Sequence, residues 1–228
     1  QGINFLDTSE MYAVPPKPET QGATERIIGS WFKARGTRAK VVLATKIAGR
    51  SPMNWLRADG ATTEQTPKQI KAAVDASLQR LQTDYIDLYQ LHWPDRPAAM
   101  FGAGGLAYRH LEGSSVPIDE ILGALQDQVT AGKIRWIGLS NETAWGTMTF
   151  LHHATAKGLP RVQSIQNAYN LINRIFEIDL AEVAHREQVG LLAYSPLGQG
   201  YLSGKYQNGA LPTGSRKAPS SASIPSRP

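Results

Sequence analysis

Short runs of β-branched and aliphatic residues alternate with segments of helical periodicity along this chain, and that alternation most limits what it can fold into. Strand-like runs fall at 3–6, 40–46, 85–91, 134–139, 162–166 and 189–194. Between them lie helical segments, about 24–35, 66–81, 118–129, 143–157 and 174–187. Their inward faces are expected to be Ile27, Ile28, Trp31 and Phe32; then Ile70, Val74, Leu78 and Leu81; then Ile121, Leu122, Leu125 and Val129; and last Phe176, Leu180 and Val183. Thr24 and the Thr66-Pro67 pair read as helix starts, and Gly36, Gly132 and Gly158 as helix stops. Six strands with five helices between them imply a parallel sheet covered by helices, a pattern that a doubly wound sheet and a (β/α)8 barrel both satisfy.

The placement of reactive side chains separates the two. Asp7 and Tyr12 follow the first strand, Lys46 ends the second, His92 follows the third and Ser140-Asn141 follows the fourth. A barrel builds its active site from the C-terminal ends of successive strands, whereas an open sheet gathers its ligands at one switch point. Each residue has a plainer reading when taken singly: Asp7 as a turn residue, Lys46 as a solvated strand end, Tyr12 and His92 as loop side chains, Ser140-Asn141 as a helix cap. Their recurrence at strand end after strand end is what favours chemistry.

Composition removes several classes of function. The 228 residues suffice for one large α/β domain, and no apolar run approaches the length of a membrane span. There is no cysteine, hence no disulfide framework or thiolate chemistry, and a cytoplasmic location is expected. The net charge is +5, but residues 209–228 hold three basic residues (Arg216, Lys217 and Arg227) and no acid, leaving +2 for the rest. With so small a charge outside that stretch, nucleic-acid binding is not supported. His152-His153 has no partner at metal-ligand spacing, and the glycines at 102–105 and 198–200 do not open a helix after the first strand, so neither a metal site nor a dinucleotide fingerprint is expected.

The motifs GINFLDTSEMY, LATK, LQTDYIDLYQLHWP, GKIRWIGLSNET, IQNAYNLINR and LLAYSPLGQGYLSGKY, in this order and spacing, resemble the aldo-keto reductase superfamily, in its Tas-like branch. The resemblance runs from residue 1 to about 209. It implies a (β/α)8 TIM barrel, here incomplete with about six strands and five helices, that reduces aldehydes or ketones with a nicotinamide cofactor and no metal. NADPH is the expected cofactor, NADH remaining open. By the same resemblance Asp7, Tyr12, Lys46 and His92 are the catalytic four. Tyr12 would deliver a proton to the carbonyl oxygen, Lys46 would lower the Tyr12 pKa, Asp7 would keep Lys46 charged, and His92 would orient the carbonyl.

Ser140, Asn141 and Gln166 match residues that hold the nicotinamide carboxamide, Tyr194 the aromatic that stacks on the ring, and Ser195, Leu197, Gly198 and Gly200 the loop near the pyrophosphate. Trp55 and Trp93 are expected to wall a pocket for a small carbonyl compound. The sequence begins inside a strand, and from about Lys217 it departs from the family, so residues 1–208 are expected to form a barrel truncated at both ends and 209–228 a disordered basic tail. The resemblance also admits a cofactor-binding regulatory subunit like the potassium-channel β subunits, or an inactive fragment.

Overall fold

A computed structural model describes residues 2–100 and 110–215; the glycines at 102–105 and the basic Arg216, Lys217 and Arg227 lie outside these. Six strands, β1 (Phe5–Asp7), β2 (Val42–Ile47), β3 (Ile86–Leu91), β4 (Ile134–Ser140), β5 (Val162–Ala168) and β6 (Gly190–Tyr194), form one sheet. Every neighbouring pair is parallel, and the spatial order is the sequence order. A doubly wound sheet would reverse direction partway; this one advances one strand at each crossover, as a barrel does.

The crossovers carry α1 (Ala23–Arg35), α2 (Pro67–Leu81), α3 (Ile118–Thr130), α4 (Ala144–Lys157) and the short α5 (Leu180–Arg186). Thr66 caps α2 by accepting from the Gln69 amide, with Pro67 behind it where no amide partner is needed. Thr143 caps α4 in the same way, and Gly158 ends α4 in the left-handed region. Strand β3 is buried throughout and β2 nearly so, as expected of a parallel sheet covered by helices. One apolar core joins Leu43, Ile47, Tyr89, Ile137 and Ile165 of the strands to Phe32, Ile70, Val74, Leu122, Leu125 and Phe150 of the helices.

Three local expectations fail. Helix α1 leaves Ile27 68% exposed and Trp31 41% exposed, and turns Glu25 and Gly29 inward beside the expected Phe32. The helix is rotated because Gly29 packs directly on α2: a Cβ there would lie 2.4 Å from the Arg80 carbonyl oxygen. Glu25 is drawn into the same seam by Arg80 at 2.6 Å and the Thr45 hydroxyl at 2.6 Å. Thr24 does not cap α1, whose cap is Gly22; its hydroxyl meets that of Thr8 at 2.7 Å. The helix expected over 174–187 is a 3-10 turn, Ile175–Glu177, followed by α5.

Candidate active site

The C-terminal ends of β1, β2 and β3 bring Asp7, Lys46 and His92 together. Lys46, the second-last residue of β2, is fully buried, and its ammonium donates to Asp7 Oδ2 at 2.5 Å and to the Thr8 carbonyl at 2.8 Å. Burial lowers the Lys46 pKa and Asp7 opposes that shift, so the ion pair is what keeps a charge tolerable there. The other Asp7 oxygen accepts from Gln90 Nε2 at 2.8 Å. Tyr12 lies in the loop after β1, half-buried, with the Lys46 ammonium 5.1 Å from its ring centroid. Its edge meets the His92 ring at 5.6 Å between centroids.

His92 is buried, and its Nδ1 lies 3.0 Å from the Ser9 hydroxyl. That hydroxyl oxygen also accepts from the Met11 amide, and in the tautomer in which its proton goes to His92 Nδ1 the ring proton lies on Nε2. Burial, and secondarily the Lys46 charge, hold the imidazole well below its ordinary value, so it is neutral at neutral pH. A neutral imidazole with a free Nε2–H can donate to a carbonyl oxygen without bringing a charge into the site.

The Tyr12 phenol is pushed up to about 12, first by burial and then by the Asp7 and Tyr194 charges. The Lys46 charge is neutralised by Asp7 at contact distance, so little remains to stabilise a phenolate.

The second group of residues gathers at the ends of β4, β5 and β6. Asn141, in the left-handed region at φ 54°, accepts from the Tyr194 hydroxyl at 2.7 Å and donates from Nδ2 to the His92 carbonyl at 2.9 Å. Ser140 donates to the Gln166 carbonyl at 2.9 Å. Asn141 is thus the physical link between the two groups. A cleft of about 670 Å³ opens here, lined by Asn141, Asn167, Tyr194, Ser195 and Gly198. Ser140 instead borders a cavity of about 330 Å³ between α3 and α4, which Trp93 also lines. Leu197 and Gly200 border neither. The Gly198 and Gly200 amides close turns onto the Ser195 and Leu197 carbonyls at 2.8 and 2.9 Å.

These residues fit a nicotinamide dinucleotide in one observed respect: the Tyr194 ring borders the cleft with its hydroxyl tied away to Asn141. Gly198, at φ 53°, is buried against Ile172, whose side chain would stand 2.8 Å from a Cβ there, so packing as well as backbone conformation calls for glycine.

Trp93 is buried, donates to the Arg50 carbonyl at 3.2 Å and stacks obliquely on His92 at 4.9 Å. It sits in a small cluster with Ala48 and Leu56, against which Met11, Met53 and the half-buried Trp55 pack. Trp93 therefore backs His92 as well as bordering space. Sequence reasoning passed over Ser9, Gln90 and the pair Glu10–Arg57. Glu10 and Arg57 are both buried and joined by bonds of 3.0 and 3.1 Å, and Glu10 also accepts from the Ala48 amide at 2.8 Å. The available signal was a glutamine in a strand whose other residues, Asp87 apart, are apolar or aromatic, and a glutamate three residues after the strand-end Asp7. Among the described residues no group of His, Asp or Glu could hold a metal ion, and no helix is long and apolar enough to cross a membrane.

The model of the aldo/keto reductase family matches residues 1–225. The chain belongs to the aldo/keto reductase family. It is 51% identical over 218 residues to protein Tas of Escherichia coli K12, covering 95% of this chain and 62% of Tas. An aldo-keto reductase of Babesia bovis is 43% identical over 185 residues, 77% of this chain and 64% of that protein. The aldo-keto reductase yakc [NADP(+)] of Schizosaccharomyces pombe is 33% identical over 222 residues, 96% of this chain and 56% of that protein. The chain thus spans less than two thirds of the length of these relatives, and its sheet holds six strands of the family's (β/α)8 barrel. Within that barrel the four clustered groups lie at the C-terminal end of the strands, the face on which such barrels build their active sites.

Proposed function

We propose that the protein reduces aldehydes or ketones with a nicotinamide cofactor, through Asp7, Tyr12, Lys46 and His92. The observation that carries this reading is the buried Lys46–Asp7 pair with Tyr12 and His92 packed beside it at adjoining strand ends. The reduced nicotinamide would supply hydride to the carbonyl carbon, held by Asn141, Tyr194, Ser195 and Gly198 with support from Ser140, Gln166, Leu197 and Gly200. NADPH is the proposed form, a choice supported by the cofactor named in the yakc relative.

His92 Nε2–H donates to the substrate oxygen and fixes its direction. Tyr12 then gives its proton to the oxygen as negative charge develops there. A phenol raised to about 12 remains fully protonated at neutral pH, and an alkoxide is a stronger base than a phenolate, so the transfer is downhill in spite of the raised value. Lys46 and Asp7 hold the polar floor under the phenol. Trp55, with Trp93 behind it, presents an apolar wall, which favours aromatic or aliphatic carbonyl compounds over charged sugars.

The test is Tyr12→Phe, which keeps the ring and removes the proton. Turnover of a small aromatic aldehyde should fall by about 100-fold or more, the scale of losing a general acid, while the NADPH Kd read from quenching of Trp fluorescence hardly moves. Unchanged reduction by Tyr12→Phe would overturn the mechanism. Saturable NADPH binding by the wild type without turnover would point to a cofactor-binding regulatory protein instead.

A further inference from the structure

We propose that Gln90 is a positioning residue for this site, holding the Asp7 carboxylate in the orientation that receives Lys46. The proposal rests on the reading of Asp7, Tyr12, Lys46 and His92 as the reducing site. Gln90 is the register partner of Lys46 on the adjacent strand, so two donors reach Asp7 from neighbouring strands and each takes its own oxygen. Lys46 binds Oδ2 at 2.5 Å and Gln90 Nε2 binds Oδ1 at 2.8 Å.

Asp7 is the last residue of β1 and its side chain is 28% exposed, so hydrogen bonds rather than packing fix its direction. A carboxylate held at one oxygen is free to swing about its last torsion; held at both, it is not. The fold makes room for the second anchor. The register row runs from Lys46 and Gln90 to Gly138 and Ser164, and a Cβ on Gly138 would stand 3.1 Å from Gln90 Cγ and 2.6 Å from Ser164 Oγ. Glycine at 138 leaves room on the β4 side for the Gln90 Cγ, while the Gln90 amide reaches Asp7 on the other side, beyond β2.

The cost of the arrangement argues for a role beyond packing. Gln90 is fully buried in the run Ile86–Leu91, and its Oε1 has no protein partner. Burying an unpaired amide oxygen is unfavourable, and a methionine or leucine would fill the same space without that cost. The ionisable groups around Gln90 are Asp7 from β1 and Lys46 from β2, with His92 two residues along its own chain and Tyr12 against both Lys46 and His92.

Two variants of near-equal shape test this. Q90M removes the donor; turnover of an aromatic aldehyde should fall by about 10-fold at every pH with NADPH Kd unchanged, since the loss is of positioning alone. Q90E replaces the amide by a carboxyl that can donate to Asp7 only while protonated. Its turnover should stay within about 3-fold of wild type near about pH 5 and fall by about 10-fold or more as pH rises, a profile that a packing role would not produce. Independently of activity, NMR of lysine labelled at Cε should show the Lys46 ammonium titrating at lower pH in Q90M, because its burial is less well offset when Asp7 can swing away. Wild-type turnover together with an unmoved Lys46 titration in Q90M would overturn the proposal. If Q90M does not fold, a flat Q90E pH profile does so alone. A wild type that reduces no carbonyl would refute the proposed function, and the Lys46 titration would still decide the role of Gln90.

Discussion

The two halves of the sheet are built to different standards. At the ends of β1 to β3, Ser9, Glu10, Lys46, Gln90 and His92 are all buried and each is tied by a side-chain bond. At the ends of β4 to β6 the support thins toward the edge. No residue of β6 is fully buried, Leu197 and Tyr201 stand more than half exposed, and Ile172, beside Gly198, is 63% exposed. Groups that move a proton must be within fractions of an ångström of the right place before substrate arrives, so they are organised by the protein itself. The exposure of β6 belongs to its place as the last strand of this sheet, for Gln166 and Ser140, one and two strands inward, are buried like the proton-moving group.

The largest expected effect would break the firm half. Arg57→Ala leaves Glu10 buried without its partner and detaches the loop after β1 from the loop after β2. Loss of about 3–5 kcal/mol of folding stability is expected, read by chemical denaturation. A loss below about 1 kcal/mol, the scale of an exposed pair, would show that the firmness of this half does not come from its buried charges.

Lys46→Met tests whether the firm half acts on chemistry alone. It removes the cation from between Asp7 and Tyr12, so turnover should drop by about 100-fold with little change in NADPH Kd. An equal loss in cofactor affinity would erase the division between the halves. Asn141→Ala tests the link between them. It cuts the bonds to the Tyr194 hydroxyl and the His92 carbonyl and should weaken NADPH binding by about 10-fold, with a smaller effect on turnover at saturation. The reverse pattern would make Asn141 part of the proton-moving half.

What the sequence made legible follows the same division. The strand and helix order, the cap at Thr66, and the positions of Asp7, Lys46 and His92 at strand ends all came from local periodicity and punctuation, which short-range physics fixes. The rotation of α1 did not, because it depends on Gly29 meeting the backbone of α2, a contact between segments some fifty residues apart. Nor did the state of Tyr12. Burial, the first cause of the raised Tyr12 phenol, carries no local signal in the sequence. Gln90 and Ser9 were missed because hydrogen bonds across strands carry no periodic signal.

The smallest expected effect concerns His92 and the pH dependence of stability. Its folded pKa lies well below the ordinary 6.5, chiefly through burial and then through the Lys46 charge. Above 6.5 the imidazole is neutral in both folded and unfolded chains and contributes no pH dependence. Between 6.5 and the depressed folded value, the unfolded chain takes up a proton that the folded site refuses, so stability falls as pH drops through that window. The full difference is reached only below the folded value. His92→Gln, which keeps a polar side chain without a titrating ring, should flatten this part of the curve of Tm against pH, with a gain at acid pH relative to wild type. Ser9→Ala should leave the window in place, because burial rather than the Ser9 bond is the main cause of the shift. A wild-type Tm that is level from pH 6.5 downward would mean that the imidazole accepts its proton in place, and that this corner of the firm half is wetter than its burial implies.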